Sequence, residues 1–128
     1  MELRGKQLVP GRASGEAVVL EAVSFYGDVD PRSGRLKDGR SVESKVIVAA
    51  RPRGSTVGSY IIYAMRAYGR APAAIVMSRV DPIVVAGCVL ADVPLVSDVP
   101  EEQLKLIRDG DLLELPGDGR IIVRRAGP

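Results

Sequence analysis

Residues 46–60 are the stretch that most constrains what this chain can fold into. They open with an unbroken apolar run at 46–50, which is typical of a strand buried on both faces. Pro52 and Gly54 then interrupt the run. After the break, apolar residues recur at helical spacing: Val57, Ile61, Ile62, Met65 and Tyr68. The pattern predicts a strand, a tight turn and a helix that ends at Gly69.

A pair of hydroxyl residues, Ser55 and Thr56, stands where this helix is predicted to begin. The simplest interpretation is an N-cap, because the side-chain oxygens of Ser and Thr accept from the free amides of a first helical turn. The same amides and the helix dipole attract anions, and Arg51 and Arg53 just before the pair add positive charge. The alternative is a substrate-binding turn whose serine takes part in chemistry. These residues alone leave both interpretations open.

The remainder of the chain alternates between predicted strands and helices. The predicted strands are 3–9 and 15–20, as a hairpin or an edge ribbon, then 73–78, 93–97, and a terminal hairpin of 111–115 with 120–125. Further helices are predicted over 83–90, opened by Asp81 and Pro82, and from Pro100 through Ile107. The order predicts an α/β chain, with residues 1–128 as one domain. The β core is expected to be layered (β/β/α) or a small barrel, with helices packed on it.

Residues 24–35 form a second unusual stretch, with the only Phe of the chain, two Gly, two Asp and a Pro within twelve residues. The stretch is too irregular to predict a regular element and too apolar for an idle linker. Two interpretations stay open. The first is a packed loop in which Phe25 and Tyr26 plug the core, and the second is a loop that lines a site or an interface.

Composition excludes several kinds of chemistry for this chain acting alone. It contains no His and a single Cys88, so it has no His general base, no His metal ligand and no set of thiolates for a zinc or iron–sulfur site. The net charge of +2, without a basic block, argues against nucleic acid as the main partner. No apolar run approaches the length of a membrane span, and no signal-peptide pattern is present, so we expect a soluble cytoplasmic protein.

Several stretches together resemble the swivel domain of the aconitase X family. They are residues 24–31, 54–59 and 71–76, with Asp81, Pro82, Ile83 and Gly87. The resemblance runs through nearly the whole chain, and a stand-alone swivel domain favours the archaeal two-subunit members of the family. Asp28 is a departure, because family members usually carry Gly there.

This resemblance implies a swivelling β/β/α domain that acts as the small subunit of a hydro-lyase. The partner would be a large subunit that carries a 4Fe–4S cluster, and this chain alone would bind no cofactor or metal. The reaction would be dehydration of a small phosphorylated hydroxy acid, (R)-5-phosphomevalonate, to trans-anhydromevalonate 5-phosphate in the archaeal mevalonate route to isoprenoids.

Within the family, the first Ser of the Gly-Ser-Ser/Thr turn is the proton acceptor, and that position is Ser55 here. The expected substrate contacts around it are Arg53, Gly54, Thr56 and Ser59. Two alternatives remain: a subunit of a related dehydratase that acts on a hydroxyproline, and a non-catalytic module that binds anions at the same turn.

Overall fold

The computed structural model describes residues 1–54 and 57–125, and these ranges contain ten strands and four helices. The strands are β1 (Glu2–Arg4), β2 (Lys6–Val9), β3 (Ala13–Val23), β4 (Val29–Asp30), β5 (Arg35–Leu36), β6 (Val46–Pro52), β7 (Ala74–Met77), β8 (Leu95–Ser97), β9 (Leu112–Leu115) and β10 (Arg120–Arg124). The helices are α1 (Phe25–Asp28), α2 (Gly58–Ala67), α3 (Pro82–Ala91) and α4 (Glu101–Leu104).

Eight strands form one sheet that curls into a nearly closed barrel. The strand order is β1-β10-β9-β3-β6-β7-β8-β2, so the two edge strands are neighbours in sequence and are joined by Gly5 alone. The N–H of Gly5 donates to the carbonyl oxygen of Gly119 at 2.8 Å. A Cβ atom at position 5 would clash with the carbonyl oxygen of Ser97. Glycine is therefore required where the chain crosses from one sheet edge to the other.

The predicted hairpin between residues 3–9 and 15–20 is wrong. Strand β1 pairs with β10 and strand β2 pairs with β8, whereas β3 lies between β9 and β6. The two short strands do occupy edges, but at opposite ends of the sheet. Gly5 breaks the run that the sequence presents as a single strand.

Parallel pairing joins β3, β6, β7 and β8 at the centre of the sheet. Both faces are buried in β7, in β8 and in the first four residues of β6, which explains their continuous apolar sequences, whereas β3 carries exposed residues such as Glu16 and Glu21. Along β6, Val46 and Val48 point into the barrel interior, while Ile47 and Ala49 pack under the helices. The predicted strand–helix–strand unit is confirmed as β6-α2-β7, and the α/β architecture confirms the predicted fold class.

Helices α2 and α3 pack against each other at Gly87. A Cβ atom at that position would lie 2.9 Å from the Cα atom of Ser59, so glycine lets α3 approach the first turn of α2. Helix α3 begins as predicted: the side chain of Asp81 accepts from the N–H of Val84 at 2.8 Å, and Pro82 occupies the first helical position.

The terminal hairpin is confirmed as β9 and β10. Helix α4 is shorter than predicted, because the chain tightens after Leu104 into turns with bonds to the third residue back, such as Ile107 N–H to the Leu104 carbonyl at 3.0 Å.

Candidate functional site at the carboxyl ends of the parallel strands

The four parallel strands end at the same edge of the sheet, and the segments that follow them are bonded to one another. The N–H of Arg53 donates to the Val23 carbonyl at 2.8 Å, and the N–H of Arg79 donates to the Ala50 carbonyl at 3.0 Å. Such an edge is where ligands bind in open α/β sheets. The structure thus brings the two stretches that stand out in the sequence to one place.

The turn between β6 and α2 begins with Arg53 and Gly54, both of which are exposed. The predicted proton acceptor Ser55 and the predicted substrate contact Thr56 lie outside the described residues. Helix α2 begins at Gly58, and Val57 occupies the N-cap position, so the cap falls later than the hydroxyl pair that was expected to provide it. The first-turn amides of α2 have no carbonyl partner within their own helix, which makes this end of the helix a donor to anions.

The start of α2 is fixed by its neighbours. A Cβ atom at Gly58 would lie 3.4 Å from Cγ2 of Ile83 and 3.9 Å from Cβ of Phe25, so this residue sits between α1 and α3. Ser59, an expected substrate contact, is half-buried and its backbone packs against Gly87. Helices α1 and α3 therefore position the first turn of α2.

Residues 24–30 are more regular than the sequence predicts, because a short helix forms there. The hydroxyl of Ser24 accepts from the N–H of Gly27 at 3.3 Å and caps α1. Phe25 is buried in the core, while Tyr26 is 66% exposed. Of the two interpretations left open, the packed one is correct for Phe25 and wrong for Tyr26. The segment also contacts the candidate turn, and Asp28 makes that contact.

Asp28 pairs with Arg53 across the two stretches. The Nη2 atom of Arg53 lies 2.8 Å from Oδ2 and 3.0 Å from Oδ1 of the carboxylate, and Oδ2 also accepts from the N–H of Ser24 at 2.9 Å. Partial burial by itself would raise the pKa of Asp28, but the bonds from Ser24 and Arg53 outweigh it and hold that pKa below its ordinary value of 3.8. The positive charge that Arg53 was expected to add near the turn is therefore offset by Asp28.

Sequence reasoning missed the role of Asp28, because the two partners of this ion pair are 25 residues apart. The available signal was the unusual composition of residues 24–35, which marks a constrained segment but does not identify its partner.

The potential metal-ligating side chains of the described residues are not arranged as a metal site. Within residues 1–54 and 57–125, no three His, Cys, Asp or Glu side chains come together in a way that could hold an ion. Cys88 is fully buried in α3, and that burial raises the pKa of its thiol to about 12. A thiol in that state is neither a nucleophile nor a ready ligand. The described part of the chain also has no helix long and apolar enough to cross a membrane.

Comparison with known proteins gives consistent matches. The sequence model of the aconitase X swivel domain matches residues 2–123. A protein of Aeropyrum pernix named phosphomevalonate dehydratase small subunit is 45% identical over 99% of this chain and 96% of its own length. A protein of the same name from Thermococcus kodakarensis is 40% identical over 82% of this chain and 84% of its own.

A solved structure extends this similarity to three dimensions. The crystal structure of the holo-form of Thermococcus kodakaraensis aconitase X superposes with a TM-score of 0.89 and 34% identity, covering 96% of this chain and 98% of that one.

Proposed function

The chain belongs to the aconitase X swivel-domain family, and we propose that it is the small subunit of a phosphomevalonate dehydratase, with residues 1–128 acting as one swivel domain. The reaction is the removal of water from (R)-5-phosphomevalonate to give trans-anhydromevalonate 5-phosphate. The observation that carries the proposal is the 45% identity to a small subunit of that name over nearly the full length of both chains.

The partner in this proposal is a large subunit that carries a 4Fe–4S cluster. A cluster needs several thiolate ligands, and the one cysteine of this chain is buried among apolar side chains. The residues of this chain therefore do not fit the cluster, and its ligands belong to the large subunit. Dehydration needs a Lewis acid for the leaving hydroxyl and a base for the proton, and this chain supplies the base.

Ser55 is the proposed proton acceptor, and the surroundings of the turn support this role. A serine is a weak base in water, but a developing negative charge on its oxygen is stabilised near the positive end of a helix dipole. The turn leads directly into α2, whose first turn supplies that dipole end. Arg53, Gly54, Thr56 and Ser59 are the proposed contacts to the anionic groups of the substrate.

Exposed aromatic and apolar side chains around the turn support assembly with a partner at this end of the domain. Tyr26 on α1 is 66% exposed, Val57 is 41% exposed, and Tyr60 on α2 is 68% exposed. Aromatic residues are enriched in protein interfaces, and their exposure in a group marks a surface that another chain covers. Closure against a partner also excludes water from the site, which strengthens its electrostatics.

The test is to co-purify the chain with its candidate large subunit, reconstitute the cluster without oxygen, and measure water loss from 5-phosphomevalonate. Ser55→Ala is compared with Ser14→Ala, which changes an exposed serine near the amino end of β3, away from the turn. Loss of a general base lowers turnover by about 10²–10⁴-fold. We expect that loss in Ser55→Ala with the complex intact, and wild-type turnover in Ser14→Ala.

Each other outcome points to a different function. A well-assembled wild-type complex that does not dehydrate 5-phosphomevalonate contradicts the substrate and favours a hydroxyproline, which is assayed next. A chain that binds phosphate at the turn but forms no complex contradicts the subunit proposal and favours an anion-binding module. Full turnover in Ser55→Ala contradicts the role of Ser55 as the proton acceptor.

A further inference from the structure

We propose that Asp28 is a positioning residue for the candidate site, which holds the Arg53 guanidinium so that it meets an anionic group of the substrate in a fixed orientation. The identity of the substrate rests on the proposed function, whereas the contact between Asp28 and Arg53 is independent of it. The two residues come from separate segments, and their contact joins α1 to the turn after β6.

Arg53 is held at both ends. Its backbone N–H donates to the carbonyl of Val23, and its Nη2 atom donates to both carboxylate oxygens of Asp28. Val23 ends β3 and Asp28 ends α1, so both anchors belong to the same short segment. The backbone and the side chain of Arg53 are therefore both fixed relative to the segment from Val23 to Asp28.

Asp28 is itself firmly placed. Its backbone N–H donates to the Ser24 carbonyl at 2.7 Å, its carbonyl accepts from the N–H of Lys37 at 3.0 Å, and its carboxylate accepts from the N–H of Ser24 at 2.9 Å. The side chain is 21% exposed, compared with 61% for its partner Arg53. The more buried and better anchored partner orients the more exposed one.

Geometry leaves part of the guanidinium for a second anion. The contact with Asp28 uses Nη2, while the guanidinium also carries N–H donors on Nε and Nη1, which lie on the two sides of Nη2. Each of these N–H groups gives a carboxylate or a phosphate a charge-assisted hydrogen bond, and its direction is set when the plane of the guanidinium is fixed. Asp28 offsets the positive charge of Arg53, so it does not strengthen the attraction between Arg53 and an anionic substrate. The contribution of Asp28 to substrate binding is to orient the guanidinium.

The competing explanation is that Asp28 only stabilises α1 through Ser24. Asp28→Asn separates the two roles, because an amide oxygen still accepts from the N–H of Ser24 while the charge that holds Arg53 is lost. Asp118→Asn is the control: Asp118 pairs with Nε of Arg120 at 2.8 Å in the terminal hairpin, at another place in the fold, where Arg120 also lies 3.5 Å from Glu2.

The first test uses the small subunit alone and needs no substrate. We measure NMR order parameters for the side-chain Nε–H groups of Arg53 and Arg120 in the wild type and both variants. Asp28→Asn is expected to lower the order of Arg53 and leave Arg120 unchanged, and Asp118→Asn is expected to do the reverse. An unchanged order parameter for Arg53 in Asp28→Asn overturns the proposal, whatever the enzyme proves to act on.

The second test uses the assembled dehydratase. An exposed ion pair is worth up to about 1 kcal/mol, so Asp28→Asn is expected to raise KM by about two- to five-fold with kcat nearly unchanged. In an Arg53→Gln background the same change is expected to have no further effect. An equal rise in KM in both backgrounds, or a fall in KM, overturns the proposal. A wild-type complex without turnover contradicts the proposed function instead, and the NMR result then decides the role of Asp28.

Discussion

Replacing Gly87 by alanine tests whether the contact between α2 and α3 sets the position of the candidate turn. The added Cβ atom would lie 2.8 Å from Cδ1 of Ile62 and 2.9 Å from Cα of Ser59. Non-bonded carbon atoms prefer about 3.5–4.0 Å, so the contact with Ser59 must open by about 0.6 Å. Ile62 is fully buried and Ser59 contributes backbone, so the helices have to move apart.

The expected cost follows from two opposing terms. Overpacking of a buried contact costs about 1–3 kcal/mol, whereas alanine is better than glycine inside a helix by about 1 kcal/mol. The net loss of unfolding free energy is therefore about 1 kcal/mol. For a domain of this size it lowers Tm by about 4 °C, which is measured by calorimetry or circular dichroism.

Gly58→Ala is the control for this experiment, because its Cβ atom would meet Ile83 at an ordinary 3.4 Å. We expect that variant to match the wild type or to exceed its Tm. The catalytic consequence is measured on the assembled enzyme, where a displaced first turn of α2 lowers turnover in Gly87→Ala. A Gly87→Ala chain at least as stable as Gly58→Ala would refute the argument that this close contact determines the spacing of the helices.

Two further predictions concern α3. Asp81→Ala removes the cap that accepts from the N–H of Val84 and is expected to cost about 1 kcal/mol of stability by thermal unfolding, while Asp81→Asn retains most of it. The thiol of Cys88, with a pKa of about 12, is expected to stay unreactive toward a disulfide reagent at pH 8 until denaturant is added. Rapid labelling of the folded chain would contradict the burial of Cys88.

The sequence predicts the central part of the fold well, because those segments carry strong local signals. The apolar run of β6, the helical spacing of α2 and the Asp–Pro start of α3 each reflect one element and its immediate ends. The terminal hairpin is likewise local, since the four residues between its strands include two glycines.

The rest depends on contacts between distant residues. Gly5 has no local feature that marks a crossing between sheet edges, because its constraint comes from Ser97 and Gly119. The pairing of Asp28 with Arg53 is equally hard to predict from the sequence, since the chain has many other carboxylates and arginines that could have been partners. At the candidate site, the sequence identified the turn and the unusual stretch at residues 24–35 but missed the ion pair that joins them.

The crossing at Gly5 has a consequence for how this protein is made. Strand β1 pairs with β10, and the amino group of Met1 donates to the carbonyl oxygen of Val123 across 122 positions. The nascent chain can assemble the β6-α2-β7 unit early, but the seam of the barrel stays open until β10 has been translated. Closure of the barrel therefore cannot precede the synthesis of β10. A stalled or truncated chain that lacks β10 leaves an unpaired edge on β1 and β9, where another copy can pair.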